Sequence, residues 1–114
     1  MEMSVTELNA GHAVRICLTG RLDTMGVNKI ESRFLAVAVA GGTDAVVDLS
    51  AVELITSMGI RMLISAVRSM SPRKRRLVLF GAQGIVHEVL ETAAIDSLMA
   101  VVPTEADALA LISA

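Results

Sequence analysis

The chain has 114 residues, 54% of them hydrophobic and 19% charged, with ten Lys or Arg against twelve Asp or Glu for a net charge of −2. Disorder is excluded by that composition, and the small net charge and 2% aromatic content argue against a nucleic-acid binder, which stacks bases on rings. The length suits one domain, and its core must be aliphatic because Phe34 and Phe80 are the only aromatic residues.

In chain order, Met3-Ser4-Val5-Thr6 and Val14-Arg15-Ile16-Cys17-Leu18 predict two strands joined by a turn at Asn9-Ala10-Gly11. Gly20 is expected to close the second strand, and Asp23 or Thr24 to cap a helix. Val27, Ile30, Phe34 and Val37 then recur at helical spacing and form a buried stripe, which Gly41-Gly42 ends. Ala45-Val46-Val47-Asp48-Leu49 is a continuous apolar run, expected of a strand covered on both faces. Ser50 to Thr56 is expected to be a link, with a second helix beginning near Ser57 and turning Ile60, Leu63, Ile64 and Val67 inward. The polar stretch Ser71 to Arg76 leads into a third buried strand, Leu77-Val78-Leu79-Phe80.

Ile85, Val86, Val89, Leu90 and Ala93 mark another helix, and Leu98 to Val102 the last strand. Pro103, Thr104 and Asp107 resemble a weak capping box that opens a terminal helix. The order β-β-α-β-α-β-α-β-α places the chain in the α/β class. It implies a mixed, mostly parallel sheet of about five strands with about four helices, one antiparallel hairpin and right-handed crossovers.

Residues that could carry catalysis are scarce. His12 and His87 have no Cys or second His at metal-ligand spacing, so no metal site is expected, and nothing calls for a cofactor. The single cysteine, Cys17, sits among apolar strand neighbours, where a free thiol acts as a small hydrophobe. Gly81-Ala82-Gln83-Gly84 follows a strand but lacks the spacing of a nucleotide-binding loop. Arg73 to Arg76 read as a solvated turn. Neither a signal peptide nor an apolar stretch of the ~20 residues needed to span a bilayer is visible, so a cytoplasmic protein with no membrane insertion is expected.

Leu54-Ile55-Thr56-Ser57-Met58-Gly59-Ile60-Arg61-Met62-Leu63 is the informative segment. Thr56 and Ser57 fall at a helix start, where backbone N–H groups point outward unpaired. One reading makes one of them the N-cap, worth ~1 kcal/mol. The other makes Ser57 a phosphorylation site, since a phosphate of about −1.5 to −2 charges is tolerated by free amides and the positive helix end. A hydrolase is not expected: the nucleophile pattern G-x-S-x-G needs glycine where Ile55 stands, and only His87 is available as a base.

Over nearly its whole length, as one domain at 1–114, the sequence is similar to the STAS family of bacterial anti-sigma-factor antagonists. Leu18-Thr19-Gly20-Arg21-Leu22-Asp23 matches the family's L-x-G-x-L-D pattern. Val46-Val47-Asp48-Leu49-Ser50 followed by Ile55-Thr56-Ser57-Met58-Gly59-Ile60 matches D-L-S … D-S-S-G-L. The resemblance implies phosphorylation of Ser57 by a serine kinase that is also an anti-sigma factor, and resetting by a serine phosphatase. Unphosphorylated protein would bind the kinase and release its target; phosphorylation would block binding. Thr56 replaces the family's acidic residue and Met58 its second serine. The expected partner face comprises Thr56, Met58, Gly59, Arg61 and Met62, with Asp23 nearby, and exposed Met58, Arg61 and Met62 at its tip. Relatives that are non-switching subunits of transport or signalling complexes supply the alternative.

Overall fold

The structure, a computed structural model, describes residues 1–112. Strands β1 (Glu2–Leu8) and β2 (Ala13–Leu22) pair antiparallel across a turn whose Asn9, Ala10 and Gly11 all take left-handed backbone angles. Strands β3 (Asp44–Ile55), β4 (Leu77–Phe80) and β5 (Ala100–Val102) then add in parallel, giving the sheet order β1-β2-β3-β4-β5. Helices α1 (Thr24–Leu35), α2 (Ser57–Met70) and α3 (Gly84–Thr92) make the crossovers, and α4 (Glu105–Ile112) follows β5. This is the expected mixed, mostly parallel sheet with four helices.

Strand alternation divides the apolar residues between two faces. Ile16 and Leu18 of β2, Val47 and Leu49 of β3, and Leu77 and Leu79 of β4 pack with Val27, Ile30 and Phe34 of α1, Met62, Leu63 and Met70 of α2, and Val86 and Leu90 of α3. Val46, Val78 and Phe80 point the other way, onto Ala108 of α4. On that second face β2 carries Arg15, Cys17 and Thr19; the Arg15 guanidinium reaches Glu105 of α4 at 3.0 Å through both carboxylate oxygens. Cys17 is thus not among apolar side chains: its thiol lies on this more polar face and donates to Asp48 at 3.8 Å.

Two strands are longer than the local pattern predicts. β2 continues through Gly20 (φ +114°) to Leu22, and β3 absorbs most of the expected Ser50–Thr56 link. Their pairing runs to Leu22 and Ile55 by way of register shifts between Cys17 and Thr19 and between Gly20 and Arg21. Bulges of this kind absorb extra residues while the ladder continues. The α1 stripe holds for Val27, Ile30 and Phe34, whereas Val37 falls in a wider helical turn, Ala36–Ala40, and is half-buried. The terminal cap is present, with the Asp107 N–H donating to the Thr104 hydroxyl at 3.2 Å. β5 is shorter than expected, because Ile95–Ser97 form a tight turn and Leu98 lies exposed before it.

Candidate functional site

The carboxyl ends of β2 and β3 converge with the starts of α1 and α2. In open α/β sheets ligands bind outside the carboxyl ends of the strands. Asp23 caps α1 by accepting from the Gly26 N–H at 2.8 Å. That bond holds the Asp23 carboxyl below its ordinary 3.8, and the Arg21 guanidinium at 3.5 Å acts in the same direction. Gly26 allows the approach that makes the cap: a Cβ there would fall 1.9 Å from the Arg21 carbonyl oxygen.

At α2, Thr56 occupies the cap position without capping. Its N–H and its hydroxyl both donate to the Leu22 carbonyl, at 3.0 and 3.1 Å. The N-cap reading of these hydroxyls therefore fails for Thr56, and the first turn of α2 keeps its outward N–H groups without a side-chain acceptor. Ser57, the first helical residue, is exposed. Gly59 is buried where the helix meets the end of β2: a Cβ on it would lie 2.9 Å from Ile55 Cγ1 and 3.0 Å from the Leu22 carbonyl oxygen.

That contact fixes the rotation of α2 and corrects the expected partner face. The buried positions are Gly59, Met62, Leu63, Ala66 and Met70, while Ile60, Ile64 and Val67 are only half-buried. Met62 is fully buried at 0% exposure, so it is not an exposed contact residue. Gly59 likewise faces Leu22 and Ile55, and acts by letting the helix approach. Met58 is half-buried against the core, Thr56 is half-buried with its hydroxyl occupied, and Arg61 is exposed. Both sides of this helix carry large apolar residues, so spacing alone left its inner face ambiguous.

Ser57 borders an open groove of about 410 Å³ between α2 and α3, lined with Ile60, Ile85, Glu88, Val89 and Ala93. Ile85, one of the residues that mark α3 in the sequence, is 52% exposed. Asp23 opens instead onto a separate cleft with Arg21, Lys29 and Glu53. His87 does not line the Ser57 groove and pairs with Glu91 one turn along α3. Sequence reasoning missed Gly26, Met25 and Ile85. Met25, 72% exposed, and Ile85 share one signal: each is a large apolar residue in the first turn of a helix that follows a strand.

Among the described residues, no group of His, Cys, Asp and Glu is placed to hold a metal ion, and no helix is long and apolar enough to cross a membrane.

The family model described as "Mlab, STAS domain" matches residues 5–103. No curated protein sequence matches the chain. Among solved structures, the fold is similar to an anti-sigma factor antagonist from Mycobacterium paratuberculosis, at 21% identity and a TM-score of 0.87 over 99% of this chain and 94% of that one. An anti-sigma-factor antagonist (STAS) domain protein from Planctomyces limnophilus is 23% identical, with a TM-score of 0.84 over 98% of both chains. The Bacillus cell fate determinant SpoIIAA in its phosphorylated form is 18% identical, with a TM-score of 0.70 over 97% of this chain and 99% of that one.

Proposed function

Because this chain belongs to the STAS domain family, we propose that it is an anti-sigma-factor antagonist whose binding is switched by phosphorylation of Ser57. One observation carries the reading: Ser57 is exposed at a helix start whose own cap residue has turned its hydroxyl away to Leu22. Free amides and the positive helix end make a dianion on Ser57 compatible with the folded state. The apolar groove beside it makes the same dianion costly to a docked partner. Desolvating an unpaired charge costs several kcal/mol, so phosphorylation weakens docking by on the order of a thousandfold.

The docking face we assign is Ser57, Ile60, Arg61 and Ile85 with the half-buried Met58. The partner is an anti-sigma factor that is also a serine kinase, and a serine phosphatase restores the binding form. Thr56 is a poor second acceptor, since its hydroxyl already donates to a carbonyl.

Incubation with a cognate kinase and ATP, followed by intact mass and peptide mapping, tests the assignment. One phosphate on Ser57, with kinase affinity reduced by orders of magnitude, is the expected result. Ser57→Ala should bind irrespective of ATP. A second reading draws on Thr56, which stands where the family pattern has a carboxylate: a STAS subunit that docks without switching. Undiminished binding with no phosphate transferred, from a kinase proven on another substrate, would favour that reading and reject ours.

A further inference from the structure

We propose that the end of the molecule opposite Ser57 is a docking surface for an anionic lipid bilayer. Half of the ten basic residues of the chain, Arg68, Arg73, Lys74, Arg75 and Arg76, fall within a nine-residue stretch that contains no acid. All five are exposed, and the turn from Ser71 to Arg76 is exposed at every residue. Arg73 and Arg76 are fixed there by the carbonyl oxygens of Val39 at 3.3 Å and Leu111 at 2.9 Å. The Asp44 carboxylate accepts from the Arg76 N–H at 2.9 Å.

Two of the cations, Arg75 and Arg76, border apolar surface. A cleft of about 250 Å³ is lined by Val67, Leu77, Leu98 and Leu111 together with Arg75 and Arg76. Leu98 is 48% exposed, and of the large hydrophobic side chains exposed among the described residues it is the one at this end of the sheet. Basic side chains beside an exposed leucine match an anionic headgroup layer over an acyl region, with charge supplying the attraction and the leucine a shallow anchor.

Other anionic partners fit less well. An acidic peptide added to the sheet needs a free strand edge of some length, whereas the neighbouring edge strand β5 has three residues, and the cleft beside it is lined mostly by apolar side chains. A nucleic-acid backbone would gain nothing from Leu98 and Leu111, and no aromatic residue is present here to stack a base.

The placement has a consequence for orientation. The basic turn precedes β4 and Leu98 precedes β5, while Ser57 follows β3, which runs parallel to both. A molecule docked by its basic end therefore turns the Ser57 edge away from the bilayer and towards the aqueous phase. The proposal is independent of whether Ser57 is modified.

Co-sedimentation of the intact protein with vesicles of mixed phosphatidylglycerol and phosphatidylcholine, against pure phosphatidylcholine, tests it. Binding should require phosphatidylglycerol and fall steeply with salt. Each cation near an anionic leaflet strengthens binding about fivefold, so Lys74→Gln with Arg75→Gln should weaken it about thirtyfold. Leu98→Ser should weaken binding while leaving the salt dependence unchanged. Far-ultraviolet circular dichroism of both variants should match the parent, since the altered side chains are exposed. Equal sedimentation with both vesicle types, no sedimentation with either, or preference for soluble poly-glutamate or single-stranded DNA over anionic vesicles at matched salt would each overturn the proposal.

Discussion

Replacing Gly26 by alanine should unfold the start of α1 more effectively than any other single methyl addition at this edge of the sheet. An added Cβ would lie 1.9 Å from the Arg21 carbonyl oxygen, where ordinary contact begins at 3.4 Å. The obstruction is backbone, so no rotamer relieves it, and the helix start must retreat by more than an ångström. Such a retreat breaks the 2.8 Å hydrogen bond from the Gly26 N–H to Asp23. Loss of the cap costs ~1 kcal/mol and the overpacking ~1–3 kcal/mol. The better helix propensity of alanine returns ~1 kcal/mol, which leaves a net loss of about 1–3 kcal/mol. Urea unfolding measures it as a lower midpoint at unchanged slope. Gly59→Ala is the internal comparison: its obstructions, the Ile55 side chain at 2.9 Å and the Leu22 carbonyl oxygen at 3.0 Å, are relieved by a few tenths of an ångström, so its cost should be smaller. Should the Gly26 variant prove as stable as the parent, or Gly59→Ala prove the worse of the two, the close-approach argument is wrong.

Met62→Ala should cost ~2–5 kcal/mol as a truncation in the core, whereas Arg61→Ala next to it should stay within ~0.5 kcal/mol in thermal or urea unfolding. Asp23 should make stability depend on acidity. Its carboxyl is held below 3.8 in the folded state, so its contribution is present above that value and is lost as pH falls through the lower folded value. The stability difference between parent and Asp23→Asn, followed by urea unfolding, should therefore shrink as pH drops below 3.8. Glu105→Gln should loosen α4 by no more than ~1 kcal/mol, because the pair with Arg15 is partly solvated. Added salt should narrow that gap, and faster amide exchange confined to α4 is the observation to seek.

The number and order of elements were legible before any packing was known, because apolar spacing in each segment is a local property that survives without its neighbours. Val27, Ile30 and Phe34 mark a helix face, and Leu77 to Phe80 a doubly covered strand, wherever they are placed. The exposed Ser57 was legible for the same reason, as a hydroxyl between a strand and an apolar periodic run. What depended on distant partners was not. β3 extends to Ile55 because β2 lies alongside it and β3 takes up its extra residues as bulges, a pairing that the short run from Val52 to Ile55 does not settle by itself. Met62 is inside because Gly59 meets Leu22 across the helix–sheet contact and sets the rotation of α2. Thr56 does not cap because a carbonyl 34 positions earlier in the chain takes its hydroxyl. Only the packed structure brings such residues within hydrogen-bonding distance, and that decided which surfaces remain open to a partner.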